Sequence, residues 1–115
     1  NPKMTLGRLG AGAVRLSHAG SVLGLAEGIE TALSVIQFFK LPMWAACGSR
    51  LDRVELPDYV REVIIFGDNG VSGRKIALKA GEAFVNRELR TTLRFPPDSF
   101  GDWNDFLREQ KNVRA

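Results

Sequence analysis

Glu27 directly follows the apolar run 22–26, Asp68 follows the run 63–66 across one glycine, and Asp102 opens the last patterned segment. Carboxylates placed at strand ends suit Mg²⁺ or Mn²⁺, which take hard oxygen ligands and commonly share them with a substrate's phosphates. A cation held in this way orients a phosphate and neutralises the charge that builds up in phosphoryl transfer. The competing reading is structural. Glu27, Glu30 and Asp102 would each be a favourable charge at a helix N-terminus, worth roughly 0.3–1 kcal/mol through the helix dipole. Asp68-Asn69-Gly70 would then be a turn, although Ser72-Gly73-Arg74-Lys75 opens a helix directly after it.

Arg74 and Lys75 follow Gly73 at that helix start, where basic side chains and backbone N–H groups can receive a phosphate. Arg15, Arg50 and Arg53 are candidates for a nucleic-acid-binding face. Cys47 has no histidine near it in sequence and reads as a small core residue, and His18 reads as a turn residue. Trp44 and Trp103 could stack on bases, but a strand position and a helix face favour core packing for both. Gly67, Gly70 and Gly73 form neither G-x-x-x-x-G-K-[ST] nor G-x-G-x-x-G, which argues against a dinucleotide cofactor.

The elements that must hold these residues alternate in the manner of a parallel sheet covered by helices. Residues 1–12 have no period and read as an entry segment, with 13–16 a short edge strand and a turn at 18–20. The domain proper is expected over 21–115. Run 22–26 suits a buried strand, and Ile29, Leu33, Ile36 and Phe39 then recur at close to helical spacing. Leu41-Pro42 breaks that helix, 43–47 reads as the next strand, and a Gly48-Ser49 turn leads into a mixed connection. Val63-Ile64-Ile65-Phe66 is the clearest strand and is expected to be central. A helix over 74–89 turns Ile76, Ala80, Ala83 and Phe84 inward. A strand over 92–95 is closed by Pro96-Pro97, and a final helix over 102–110 has Asp102 as its cap. In an open parallel sheet ligands bind beyond the carboxyl ends of the strands. Glu27, Asp68 and Asp102 are all expected there.

With 115 residues, 44% of them hydrophobic, the chain has room for one ordinary core. Its net charge of +3 favours an anionic partner only mildly, since 13 acidic residues offset 16 basic ones. No run is long enough to span a bilayer and no signal peptide is visible, so no membrane partner is expected. A lone cysteine and a lone histidine exclude a zinc cluster and an internal disulfide and fit a reducing cytoplasm. Asn1 in first place, with the first methionine at Met4, suggests a piece of a longer protein.

Leu25-Ala26-Glu27-Gly28-Ile29-Glu30 resembles the first motif of the TOPRIM family, a strand ending in Glu-Gly that leads into a helix. Ile64-Ile65-Phe66-Gly67-Asp68-Asn69-Gly70-Val71-Ser72-Gly73-Arg74-Lys75 resembles the second, a strand followed by Asp-x-Asp, two residues, a glycine and a basic helix start. Gly101-Asp102-Trp103-Asn104-Asp105-Phe106-Leu107 resembles the C-terminal signature of TOPRIM domains in phage and plasmid primases. Order and spacing agree, and the similarity extends over nearly the whole chain.

The resemblance implies an α/β, Rossmann-like sheet of about four mainly parallel strands flanked by helices. It implies Glu27 as general acid/base or metal partner, Asp68 as metal ligand and Asp102 as a supporting acid, with Mg²⁺ or Mn²⁺ as cofactor. The activity implied is that of a DNA primase, a metal-dependent nucleotidyltransferase making RNA primers from nucleotides on a single-stranded DNA template, beside other domains such as zinc-binding and helicase modules. One departure stands out: Gly70 occupies the place of the second aspartate of Asp-x-Asp, unless Asn69, Asp102 or Asp105 supplies a replacement oxygen. That glycine supports an alternative, a degenerate module that binds nucleic acid or partner domains without catalysis. A nicking or topoisomerase-type enzyme is a further alternative, but strand passage needs a nucleophilic tyrosine from another domain, and the only tyrosine here, Tyr59, lies in a connection.

Overall fold

A computed structural model describes residues 13–47 and 50–114. The entry segment 1–12 and the Gly48-Ser49 turn lie outside the described residues. Strand β1 (Val14–Arg15) leads to β2 (Val22–Ala26), α1 (Ile29–Phe39) and β3 (Met43–Ala45). A 3₁₀ turn over Leu51–Arg53 precedes β4 (Glu62–Phe66), and α2 (Val71–Asn86), β5 (Arg90–Arg94) and α3 (Trp103–Arg114) complete the fold. The five strands lie in the order β1-β3-β2-β4-β5. β3, β2, β4 and β5 run parallel, and β1 pairs antiparallel with β3 at the edge. The expected parallel four is therefore present, and the edge strand expected over 13–16 is β1, antiparallel to β3.

Side chains alternate along the strands with period 2, and this sorts the core into two layers. Leu23, Leu25, Val63 and Ile65 point to one face, where Ala77, Ala80 and Phe84 of α2 and Leu51 of the 3₁₀ turn cover them. Ala26, Phe66, Met43 and Ala45 point to the other, beneath Ala32 and Val35 of α1 and Trp103 and Leu107 of α3. Gly24 belongs to this second series and has no room for a side chain, because a Cβ there would lie 2.1 Å from the Met43 sulfur.

One helix face and two helix boundaries shift from the sequence-based expectation. Leu33 is 51% exposed, while Ala32 and Val35 are fully buried. At about 100° per residue the inward stripe of α1 centres on Ala32 and Phe39, which leaves Leu33 roughly 100° to one side. Helix α2 begins at Val71, three residues earlier than expected, with Gly70 as its extended N-cap residue. Arg74 and Lys75 thus sit in the second turn rather than at the start. Helix α3 runs on to Arg114.

Candidate cation cleft

β2 and β4 are neighbours, and Ala26 pairs with Phe66 in register. The chain leaves β2 toward α1 and β3 on one side and leaves β4 toward α2 and β5 on the other. The order of strands therefore reverses between these two, which opens a crevice beyond their carboxyl ends. Glu27 and Asp68 flank it. Asp102, at the start of α3, comes in from the layer above.

An open cleft of about 340 Å³ is lined by Glu27, Glu30, Thr31, Asp68, Asp102 and Asn104. Glu27 is exposed, while Asp68 and Asp102 are partly buried. Burial raises the pKa of Asp68 above the ordinary 3.8, the charges of Asp102 and Glu27 push the same way, and a hydrogen bond from the Trp103 backbone N–H opposes them. Oδ1 of Asp68 is buried and has no hydrogen-bond partner. An unpaired carboxylate oxygen turned inward, in a cleft with two further carboxylates, is oxygen-donor chemistry of the kind a hard divalent cation takes. Among the described residues no group of three His, Cys, Asp or Glu side chains is placed to hold a metal ion. Mg²⁺ needs none, being commonly held by one or two carboxylates together with water and substrate phosphates.

The remaining candidates have other partners. Asp102 Oδ1 accepts the N–H of Asp105 at 2.9 Å, so Asp102 is the N-cap of α3 as well as a wall of the cleft. Asp105 is exposed and pairs with Arg108 at 3.3 Å, away from the cleft lining. Glu30 accepts from Asn104 Nδ2 at 3.2 Å, and Asn104 also accepts from Ser34 Oγ. Asn69 Oδ1 accepts from Arg74 at 2.7 Å, so that oxygen is taken. The Arg74 guanidinium lies 4.4 Å from the centre of the Phe95 ring and 3.7 Å from the exposed Asp98, so it leans toward the β5–α3 loop. Lys75 is exposed on α2. Of the other arginines, Arg15 stacks over Trp44 at 4.8 Å and Arg50 forks onto Asp52 at 2.9 and 3.2 Å. Trp44 and Trp103 are both buried in the core.

Two features escaped sequence reasoning. Asn104 lines the cleft, and only its place inside the Asp-Trp-Asn-Asp run signals it. Gly73 lies in the first turn of α2, where a Cβ would come within 2.9 Å of Asp68 Cβ and 3.0 Å of Asp68 O. Its lack of a side chain is what lets α2 pack onto the residue carrying the buried carboxylate. Gly73→Ala should thus lower the melting temperature, even though alanine is favoured over glycine in a helix by about 1 kcal/mol. Forcing an extra methyl against rigid backbone costs roughly 1–3 kcal/mol. A rise in thermal denaturation experiments would contradict the contact.

A family model described as the Toprim domain matches residues 22–112. No curated protein sequence matches. The crystal structure of the primase fragment of the bacteriophage T7 primase-helicase protein superposes with a TM-score of 0.63 at 19% identity. The superposition covers 90% of this chain and 46% of the other, so the chain spans less than half of that fragment. At that identity the likeness speaks to the fold.

Proposed function

Because the chain belongs to the Toprim domain family, we propose that its cleft binds Mg²⁺ or Mn²⁺ and serves metal-assisted nucleotidyl transfer, as the catalytic domain of a DNA primase. The observation that carries this reading is the buried, unpartnered Oδ1 of Asp68, a residue that lines one cleft with Glu27 and Asp102. Asp68 and Asp102 would hold the cation, which when bound supplies charge neutralisation at the phosphate under attack. Glu27, exposed at the cleft mouth, takes up on an Oε atom the proton leaving the attacking 3′-hydroxyl. The partners that follow are nucleotides, a single-stranded DNA template and further domains of a longer primase. The T7 protein with the matching fold is itself a primase-helicase. Among the described residues no helix is long and apolar enough to cross a membrane.

Primer synthesis by the full-length protein tests this directly. Replacing Glu27 by Gln should reduce product by at least about 100-fold at unchanged template binding. Undiminished synthesis would remove Glu27 from the reaction. The topoisomerase-type alternative gains nothing from the fold, since Tyr59 stands in the turn leading into β4, at the rim opposite the cleft.

The degenerate-module reading turns on Gly70, and the backbone there is permissive. Its φ of −61° and ψ of 162° suit any residue, and a Cβ would meet nothing within 4 Å. Gly70→Asp is therefore expected to fold normally. It should cap α2 and tighten Mn²⁺ binding about tenfold by adding ligand charge. Unchanged affinity in calorimetric titration would show that position 70 does not face the cation.

A further inference from the structure

We propose that Asn69 is a positioning residue whose side-chain amide clamps the β4–α2 loop to the β5–α3 loop and so holds Asp102 against Asp68. The proposal rests on the cation reading of the cleft and names how this chain completes a site that Gly70 leaves short of a carboxylate.

The β5–α3 loop poses a hydrogen-bonding problem. Pro96 and Pro97 have carbonyls but no N–H groups, and the segment leaves the sheet after Arg94; the Pro97 carbonyl accepts the Phe100 N–H at 2.9 Å, while among the described residues no backbone N–H reaches those of Pro96 and Phe100. Asn69 meets that demand from the neighbouring loop. Its Nδ2 lies 2.8 Å from the Pro96 carbonyl, 3.0 Å from that of Pro97 and 2.7 Å from that of Phe100. Its backbone N–H donates to Gly101 O at 2.9 Å. The other end of the amide is fixed as well, because Oδ1 accepts from Arg74, which stacks on Phe95 and faces Asp98.

Both polar ends of this side chain are thus spent on the loop that ends at Asp102, while the residue itself adjoins Asp68. The clamp closes a sequence separation of about 30 residues next to the cleft and fixes the approach of α3, whose first N–H then reaches the Asp68 carboxylate. The competing role for Asn69, donation of its own oxygen to a cation, requires the atom that Arg74 occupies.

Mn²⁺ titration of the 115-residue chain separates the two roles by sign. Asn69→Asp keeps an oxygen for Arg74 and adds charge but loses the donors. A clamp predicts weaker binding by about 10–100-fold, the range for residues that orient ligands, whereas a ligand predicts tighter binding. A double-mutant cycle asks whether Asn69 acts through Asp102. The Asn69→Ala, Asp102→Asn pair should bind no more weakly than Asp102→Asn alone, and additive losses would overturn the proposal. Amide hydrogen exchange in cation-free buffer decides the clamp without reference to metal. In Asn69→Ala the amides of residue 69 and Asp105 should exchange at least about tenfold faster while that of Ile64 in β4 is unchanged. Unaltered exchange at 69 and 105 overturns the clamp whatever the titrations give. A wild-type chain that binds no Mn²⁺ overturns the cation reading alone and leaves the clamp to be judged by exchange.

Discussion

Asp68→Asn is expected to weaken cation binding at the cleft by more than about 100-fold and, in cation-free buffer at neutral pH, to raise the melting temperature. Burial is the main reason the Asp68 carboxyl holds its proton above the ordinary 3.8, with the charges of Asp102 and Glu27 adding to it. A carboxyl that binds its proton more tightly in the folded than in the unfolded chain favours the fold fully below the unfolded pKa. That advantage is lost as pH rises through the folded pKa. At pH 7 the ionised Asp68 is therefore a net cost to the cation-free fold, and the neutral amide removes it. The amide oxygen can still accept the Trp103 N–H. Melting curves of wild type and variant should part as pH climbs above 3.8, with wild type the lower, and saturating Mn²⁺ should reverse their order. A variant less stable than wild type at pH 7 without cation would show that Asp68 serves the fold and not a ligand.

Trp103→Ala should lower stability by roughly 3–5 kcal/mol, the range for deleting a buried aromatic ring. Trp103 is 3% exposed, with Phe66, Phe106 and Phe39 at centroid distances of 5.4, 5.9 and 6.1 Å, all in edge-on contact. With Leu107 it is the side chain that holds α3 to the sheet, and the residue before it is Asp102. Domains of this size are stable by only about 5–15 kcal/mol, so the loss is a large share of the total and should lower the melting temperature by about 15 °C or more. Trp103→Phe, which keeps a ring in place, should lose much less. A drop of only a few degrees for the alanine variant would mean that α3 docks by other contacts.

The arrangement of strands was legible because runs 22–26 and 63–66 are short, continuous and β-prone and are each followed by an acid. Legible strand order put Glu27, Asp68 and Asp102 at one rim from sequence alone, and the structure gathers them in one cleft. What could not be read depends on distant or backbone partners. Asn69 offered an oxygen in sequence, but its function is set by carbonyls 27 to 31 positions away, and a carbonyl is the same in every residue. The contacts of Arg74 with Phe95 and Asp98, 21 and 24 positions away, were equally invisible in sequence. Leu33 was expected inside because it is large and at near-helical spacing, whereas small Ala32 took the inward position that the close approach of α1 to the sheet requires. The early start of α2 was hidden because Val71 and Ser72 are weak helix formers and Gly73 is a poor one, kept there by its contact with Asp68.

Paramagnetic broadening by Mn²⁺ locates a bound ion without assuming which residues hold it. Substoichiometric Mn²⁺ added to the isotopically labelled chain should broaden first the amides of Glu27, Gly28, Asp68, Asp102 and Asn104, and leave Asp58 and Arg61 at the opposite rim sharp. Broadening scattered over exposed acids such as Glu55, Asp58 and Asp98, with Glu27 and Asp68 unaffected, would contradict a cation cleft between β2 and β4.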